Sequence, residues 1–223
     1  MRSAVFGGSV HRTLRTLLLR VDHHVLNDHL TTLRIRRRDR LFRRHAAPHV
    51  DLQLWHQQGN ASDLRGLFDL YGSDKGSAAT GPHAYPWEPH TYAEVYGSLF
   101  EHCRASVKRV FECGLGTNFN DVPSNMTATG KPGASLRAWR DYFPAATIYG
   151  ADIDQRVLFQ EERIYTFQVD QTNAASVRTM WESIGTADFD LMIDDGLHEF
   201  HAGKVLFEES IEKLAWNGIY VIE

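Results

Sequence analysis

The sequence predicts an α/β fold, in which helices flank an open sheet of mainly parallel strands. The first observation is that strand-like and helix-like segments alternate from residue 107 onward, an order typical of a parallel sheet with right-handed crossovers. The second is that these strands are apolar enough to be covered on both faces. A chain of 223 residues, of which 43% are hydrophobic and 23% charged, is long enough to bury the core that such a sheet needs.

Five short segments rich in β-branched and aromatic residues are the predicted strands. They are VKRVFECG (107–114), TIYGADID (147–154), RIYTFQVD (163–170), FDLMIDD (189–195) and NGIYVIE (217–223). Four segments show helical spacing of apolar residues. They are TYAEVYGSLFEHC (91–103), GASLRAWRDYF (133–143), NAASVRTMWESIG (173–185) and HAGKVLFEESIEKLA (201–215). Asn173 is placed to cap the third helix and Gly185 to end it, and residues 71–90 are rich enough in Gly, Ser and Pro to be loop.

The first 60 residues form a basic segment for which we expect helix. Residues 1–50 contain 11 arginines against three acidic residues, about +8, although the whole chain has a net charge of −4. We expect a solvated helical extension (1–60), a loop and helix (61–106) and then the α/β domain (107–223). Contact of the extension with an anionic membrane surface stays open, and nucleic acid is the less favoured partner.

The cysteine content and the hydropathy limit the cellular locations that the sequence allows. Cys103 and Cys113 are too few for a disulfide framework, so we expect a reducing compartment and a cytoplasmic location. No apolar run approaches the roughly 18 to 20 residues of a membrane span. We expect no cleavable signal, although an arginine-rich, acid-poor start also has the composition of a transit peptide.

Every predicted strand ends on or beside an acidic residue. These residues are Glu112, Asp152, Asp170, the pair Asp194 and Asp195, and Glu223. Ligands of open parallel sheets bind beyond the carboxyl ends of the strands, and a core sheet does not need carboxylates there. The row of acids therefore predicts a polar or cationic ligand that lies across the strand ends.

A GxG turn, formed by Gly114 and Gly116, follows the first predicted strand and lets a ligand approach the backbone closely. The dinucleotide fingerprint needs a third glycine and an immediate helix start, whereas Phe119 and a further stretch precede the helix here. Asp152 is placed to accept both hydroxyls of a ribose. The alternative is a capping role in the turn, for which Asp154 is the better candidate.

Asp170 and Gln171, at the end of the third predicted strand, fit two interpretations equally. They could hydrogen-bond the edge of an adenine, or Asp170 could start the turn that leads to Asn173.

IDDGLH (193–198) places two carboxylates side by side, followed by a glycine and a histidine. Alternate residues at a strand end point to different sides, so we expect Asp194 toward a cofactor or the turn backbone and Asp195 toward a cation. Oxygen ligands suit Mg²⁺, whereas zinc prefers histidine or cysteine. His198 is placed to act as a base, and the alternative is a loop histidine that caps the next helix.

Six motifs occur in one order along the chain: ECGLGTN, GASLRAWRDYFP, IYGADID, VDQTN, IDDGLH and GIYVIE. In that order they resemble a class I S-adenosylmethionine-dependent methyltransferase with a Rossmann-like sheet. Within this class they are most similar to the metal-dependent sugar O-methyltransferases that act on macrolide glycosides. YGSDKGS, followed by His90, Tyr92 and Tyr96, resembles the segment before the catalytic domain. The resemblance covers roughly residues 69–223.

The resemblance implies two cofactors, S-adenosylmethionine and Mg²⁺, and assigns roles to the motif residues. The implied cofactor-binding residues are Glu112, Gly114, Gly116, Asp152, Asp170 and Gln171, and we expect Asp194 on the same side. Asp195 and Glu223 are the implied magnesium ligands, and His198 is the implied general base. The resemblance also implies an aspartate after Glu223, where the sequence ends, and two more strands.

These residues favour an enzyme that methylates a hydroxyl of a sugar or a glycosylated small molecule, with Mg²⁺ assistance. One alternative is an NAD-dependent oxidoreductase on the same sheet. The other is a non-catalytic protein that binds S-adenosylmethionine or tethers a partner through the basic extension. As a partner we expect a small glycosidic substrate, and formation of an oligomer stays open.

Overall fold

A computed structural model describes four stretches of the chain. They are residues 62–77, 92–122, 125–128 and 130–223, and they lie within one compact unit, Leu54–Glu223. The helical extension predicted for residues 1–60, with its membrane contact, and most of the predicted loop 71–90 lie outside the described residues. The division of the chain at residues 60 and 106 therefore stays a prediction. Within the described stretches, no helix has both the length and the apolar character needed to cross a bilayer.

Six strands form one sheet in the described part of the chain. They are β1 (Arg109–Cys113), β2 (Thr147–Asp152), β3 (Gln160–Glu161), β4 (Ile164–Gln168), β5 (Phe189–Asp194) and β6 (Leu214–Ile222). Their order across the sheet is β3-β4-β2-β1-β5-β6. β3 runs antiparallel to β4, and every other neighbouring pair is parallel. The predicted α/β fold with a mainly parallel sheet is confirmed.

Helices cover both faces of this sheet. The helices of the described residues are α1 (Ser62–Tyr71), α2 (Ala93–Phe100), α3 (Ala134–Tyr142), α4 (Ala174–Ile184) and α5 (Phe200–Ser210). One buried cluster joins α1, α2 and α3 to the sheet, and a second joins α4 and α5 to it. Strand β1 contributes to both clusters, since Val110 lies in the first and its neighbour Phe111 in the second.

Local sequence signals explain both ends of α4. The Asn173 side chain accepts hydrogen bonds from the backbone N–H groups of Ala175 (2.9 Å) and Ser176 (3.3 Å) at the start of α4, and Gly185 ends this helix at φ +68°. Both assignments made from the sequence are confirmed. Strand β6 begins at Leu214 rather than at residue 217, because α5 already ends at Ser210.

An aromatic contact between α1 and α3 fixes the segment that precedes the sheet. The rings of Phe68 and Trp139 pack edge to face with centroids 4.9 Å apart, and both side chains are fully buried. Truncation of a buried aromatic side chain costs about 3–5 kcal/mol. This contact therefore anchors α1, and with it the following residues 72–77, beside the carboxyl ends of the strands.

Candidate active site

The strand ends that carry the predicted acids meet at one edge of the sheet. A cleft of about 640 Å³ opens there between the turns that follow β1, β2, β4 and β5. Five of the seven predicted cofactor residues line it: Gly114, Gly116, Asp152, Asp170 and Gln171. Glu112 lines an adjoining cavity of about 250 Å³. Asp194 lines neither space and borders a third cavity beside α5.

In the GxG turn, the backbone lines the cleft without side chains at Gly114 and Gly116. Gly114 has φ +99° and Gly116 has φ +72°, a conformation that residues with a Cβ rarely adopt. A Cβ at Gly114 would overlap the carbonyl oxygen of Asp195, and one at Gly116 would overlap the sulfur of Met126. The turn therefore requires glycine at both positions, and it brings backbone groups against any ligand in the cleft.

Asp152 holds this turn and still faces the cleft. Its carboxylate accepts backbone hydrogen bonds from Leu115 (2.8 Å) and Asp154 (2.9 Å). Burial raises the pKa of Asp152, although these hydrogen bonds act in the opposite direction. A carboxylate has about four acceptor sites, and Leu115 and Asp154 do not occupy all of them. The residue therefore fits the recognition of two adjacent hydroxyl groups.

Arg156 connects several residues at the rim of the cleft. Its guanidinium donates to Asp154 (2.7 Å) and to Asp121 (2.9 Å), and it lies 3.8 Å from the ring centroid of Phe119. The hydrogen bond from Arg156 lowers the pKa of Asp154 below its usual range. Asp154 also caps the short 3₁₀ turn that follows β2 by accepting from the Arg156 backbone, as the sequence predicts.

Asp170 and Gln171 line the cleft but already have partners in the protein. Thr172 donates to Asp170 from its backbone N–H (3.0 Å) and its hydroxyl (2.6 Å). The Gln171 amide donates to Asp194 (2.6 Å) and accepts from the backbone N–H of Leu197 (2.9 Å). Gln171 therefore fixes the turn after β5, and the contact of both residues with a cofactor stays a prediction.

The two aspartates at the end of β5 occupy different surroundings. Asp194 is buried and accepts from Gln171 (2.6 Å) and from the backbone of Gly196 (3.4 Å), and burial raises the pKa of Asp194. Asp195 instead accepts a hydrogen bond from the ammonium group of Lys75 at 2.5 Å. The adjacent carboxylates thus have separate partners, and only Asp195 lines the cleft.

Lys75 is a site residue that the sequence did not reveal. Its side chain is 2% exposed, and its ammonium group contacts the carboxylates of both Asp195 and Glu223. The oxygen of Glu112 lies 3.9 Å away. Burial alone would lower the pKa of Lys75, but the three carboxylates outweigh it and hold the pKa well above its ordinary value. A row of buried carboxylates needs a counter-cation. That requirement is the one feature of the sequence that could have indicated a buried lysine here.

Glu223 and Glu112 are held by further side chains. The Tyr96 hydroxyl donates to Glu223, and burial raises the pKa of Glu223 to about 6 although Lys75 acts the other way. Glu112 accepts from the Trp139 indole (2.5 Å) and from the Ser135 hydroxyl (2.7 Å). Burial also raises the pKa of Glu112, to about 8, against the opposing effect of Lys75.

His198 lies at the mouth of the smaller cavity, beside these carboxylates. Its Nδ1 is 3.2 Å from the carbonyl oxygen of Glu223, and its Nε2 is 3.7 Å from Asp195. The side chain is 56% exposed, so a substrate can reach it. His201, on α5, is exposed and lines neither the cleft nor this cavity.

Asp195 and Glu223, the two predicted metal ligands, both contact the ammonium group of Lys75, and their role as ligands stays a prediction. The described residues contain no group of three or more His, Cys, Asp or Glu that is arranged to hold a metal. Two carboxylates that reach a common cation, without a nitrogen or sulfur ligand, fit Mg²⁺, which keeps several water ligands.

Comparison with known proteins gives sequence and structural relatives. No family model matches the chain. An 8-demethyl-8-alpha-L-rhamnosyl tetracenomycin-C 2′-O-methyltransferase of Streptomyces olivaceus is 34% identical over 160 residues, which are 72% of this chain and 37% of that protein. The corresponding 3′-O-methyltransferase of the same organism, named for the 2-methoxy-rhamnosyl compound, is 33% identical over 78% of this chain and 40% of its own length.

A solved structure resembles the chain as well. The MycE methyltransferase of the mycinamycin biosynthetic pathway, in complex with Mg, S-adenosylhomocysteine and mycinamycin VI, superposes with a TM-score of 0.56 at 30% identity. The match covers 72% of this chain and 38% of MycE. The chain thus spans less than half the length of the relatives it matches.

Proposed function

Because the chain is a homologue of the class I S-adenosylmethionine-dependent sugar O-methyltransferases, we propose that it methylates a hydroxyl of a sugar or a glycosylated small molecule. S-adenosylmethionine is the proposed methyl donor, and Mg²⁺ is the proposed metal. The relatives carry names of rhamnosyl-compound O-methyltransferases, and MycE was solved with Mg, S-adenosylhomocysteine and mycinamycin VI.

The observation that carries the proposal is that the cleft and the smaller cavity adjoin each other at Asp195. The 640 Å³ cleft and the 250 Å³ cavity share the lining residues Gly114, Gly116, Asp195 and Gly196. We assign the nucleoside of the donor to the first space, and the second is lined by Glu112, Asp195 and His198. A donor in the cleft and an acceptor in the cavity would therefore meet beside Asp195, which supplies the proximity that a bimolecular transfer needs.

In this proposal the cleft residues bind and orient the donor. Asp152 accepts the ribose hydroxyls with its remaining acceptor capacity, and the GxG turn lets the backbone approach the donor closely. Glu112 lies at the methionine end, and Asp170 and Gln171 lie on the adenine side. Asp194 contributes through Gln171, since their hydrogen bond fixes the turn that carries Asp195.

Asp195 and Glu223 would hold the divalent cation, with water completing its shell. When bound, the cation supplies Lewis acidity that lowers the pKa of an alcohol coordinated to it. The two carboxylates fix the place of the acceptor hydroxyl relative to the cleft, and Tyr96 keeps Glu223 oriented through its hydrogen bond.

His198 is the proposed general base. If Nδ1–H donates to the Glu223 carbonyl, as the 3.2 Å separation suits, the neutral imidazole carries its free lone pair on Nε2. That atom faces Asp195 and can take the proton of the acceptor hydroxyl. The methyl group leaves the sulfonium for the hydroxyl oxygen, the sulfur keeps the bonding electron pair, and the proton ends on Nε2. Base catalysis of this kind typically contributes about 10²- to 10⁴-fold.

We place this activity in the cytoplasm. Cys103 and Cys113 both lie among the described residues and are free thiols. Free thiols suit a reducing compartment.

Two measurements test the proposed function. Calorimetry with S-adenosylhomocysteine should give binding, whereas NADH, the ligand expected of an oxidoreductase, should give none. Transfer of a labelled methyl group should require a glycoside with a free sugar hydroxyl and should stop when the divalent cation is chelated. The matching aglycone is the control acceptor. Absence of S-adenosylhomocysteine binding, or equal labelling of the aglycone, would reject the proposal.

A further inference from the structure

The segment that carries Lys75 is built to insert this side chain between the strand ends. The Asp69 carboxylate accepts from both the backbone N–H and the hydroxyl of Ser77, each at 2.8 Å. The carbonyl of Lys75 accepts from the backbone N–H of Ala93 (3.1 Å). A Cβ at Gly76 would overlap the Asp69 carboxylate. The loop is therefore closed on itself at Ser77 and tied to α2, so the position of Lys75 is fixed by its own backbone contacts.

The ammonium of Lys75 lies where the proposed divalent cation would lie. It is in hydrogen-bond contact with Asp195 and Glu223, which are the two proposed ligands of the metal. A magnesium ion binds carboxylate oxygens at about 2.0–2.1 Å and leaves no room for an ammonium on the same oxygens. Two cations at that distance would also repel each other strongly in a buried site.

A second partner is available to a displaced ammonium. The nearer oxygen of Glu112 lies 3.9 Å from Nζ, and Lys75 itself lines the 250 Å³ cavity together with Glu112. The side chain can thus withdraw from Asp195 and Glu223 and still have a side-chain oxygen near its ammonium group. This shift needs a change in the side chain alone, since the backbone of the loop keeps its contacts.

We propose that Lys75 is a positioning residue, an internal cation that holds the Asp195–Glu223 pair before the metal binds and is displaced toward Glu112 when it binds. The inference rests on the proposed function, because it takes these two carboxylates as the metal ligands. It adds a competition between one residue of this chain and the divalent cation. Lys75 keeps the carboxylates together in the metal-free protein, and it lowers the affinity of the site for the metal.

Binding of Mn²⁺ alone, followed by electron paramagnetic resonance, tests the competition without any methyl transfer. Lys75→Met removes the ammonium and keeps the length of the side chain, so we expect Mn²⁺ to bind about tenfold more tightly, or more, than in the wild type. Lys75→Arg retains a cation and should not tighten binding. Lys131→Met is the matched control, since Lys131 lines the same cavity and is exposed. Loss of packing alone would weaken metal binding and could not produce this gain.

A second measurement uses the wild type and so does not depend on folding of a variant. Crystal structures of the wild type without metal and with Mn²⁺ locate the Nζ atom of Lys75 in both states. We expect Nζ on Asp195 and Glu223 without metal and beside Glu112 with Mn²⁺, while the ion pair of Lys204 with Glu208 on α5 stays unchanged. Metal binding with equal affinity in wild type and Lys75→Met, and with Nζ unmoved, would overturn the inference and leave the proposed function intact. Absence of Mn²⁺ binding in every form would overturn both.

Discussion

Replacement of Asp152 by asparagine separates its structural role from its proposed role in binding. The carboxylate accepts two backbone hydrogen bonds, from Leu115 and Asp154, and asparagine keeps one acceptor oxygen. One buried N–H therefore loses its partner, which costs about 1–3 kcal/mol of the free energy of unfolding. The variant also loses a charged acceptor for the ribose, worth about 1.5–3 kcal/mol. We expect S-adenosylhomocysteine to bind roughly tenfold to a hundredfold more weakly.

Urea unfolding and calorimetry measure the two effects separately. Asp190→Ala is the control, because Asp190 accepts from the backbone of Lys108 (2.6 Å) and Arg109 (3.0 Å) at the opposite edge of the sheet. Loss of these two bonds should cost a similar 1–3 kcal/mol, at about 0.5–1.5 kcal/mol each, and leave S-adenosylhomocysteine binding unchanged. Wild-type affinity in Asp152→Asn would refute the proposed ribose contact. Unchanged stability would refute the role of Asp152 in holding the GxG turn.

His198, Arg156 and Glu112 can each be tested by a single substitution. His198→Ala should lower the rate of methyl transfer by about 10²- to 10⁴-fold with S-adenosylhomocysteine binding retained, as measured by labelled-methyl kinetics and calorimetry. Arg156→Ala should speed backbone amide exchange in residues 117–122, because Arg156 joins Asp121 and Phe119 to the rim. The folded-state pKa of Glu112, about 8, lies above the usual carboxyl value. Its contribution to stability is therefore present at low pH and is lost as the pH rises toward 8. Between pH 5 and pH 8, the free energy of unfolding of the metal-free wild type should fall relative to that of Glu112→Gln, as measured by urea unfolding.

Each of these predictions has a control and a contradicting result. His201→Ala should retain the wild-type rate, and equal losses in both histidine variants would remove the base role from His198. Arg178→Ala breaks an ion pair with Glu209 on α5, remote from the rim, and should not alter exchange there. A constant stability difference between wild type and Glu112→Gln across that pH range would show that Glu112 does not bind its proton more tightly in the folded protein.

Local and periodic signals in the sequence were sufficient to predict the five longer strands and the edge at which their carboxyl ends meet. The strand ends could be placed because an apolar run stops at an acid in each case, and parallel strands bring such ends to one edge. The cap at Asn173 and the stop at Gly185 depend on neighbouring residues alone. For the same reason the separation of Asp194 from Asp195 could be expected from strand geometry.

The parts of the site that depend on tertiary packing could not be read from the sequence. Lys75 is 120 residues from Asp195 along the chain, and it reaches the strand ends because α1 packs on α3 through Phe68 and Trp139. The engagement of Gln171 by Asp194 depends on how two loops meet. The two-residue strand β3 arises where Arg163, at φ +60°, reverses the chain, and no periodicity marks so short an element.

A crystal structure of the chain with S-adenosylhomocysteine and Mn²⁺ would show whether Asp195 and Glu223 bind the metal beside the donor cleft. Anomalous scattering locates the manganese without reference to a model of the site. We predict a single anomalous peak between the carboxylates of Asp195 and Glu223, with the nucleoside in the 640 Å³ cleft and its ribose on Asp152. A nucleoside bound elsewhere, or a manganese peak away from both carboxylates while the nucleoside is bound, would contradict the account.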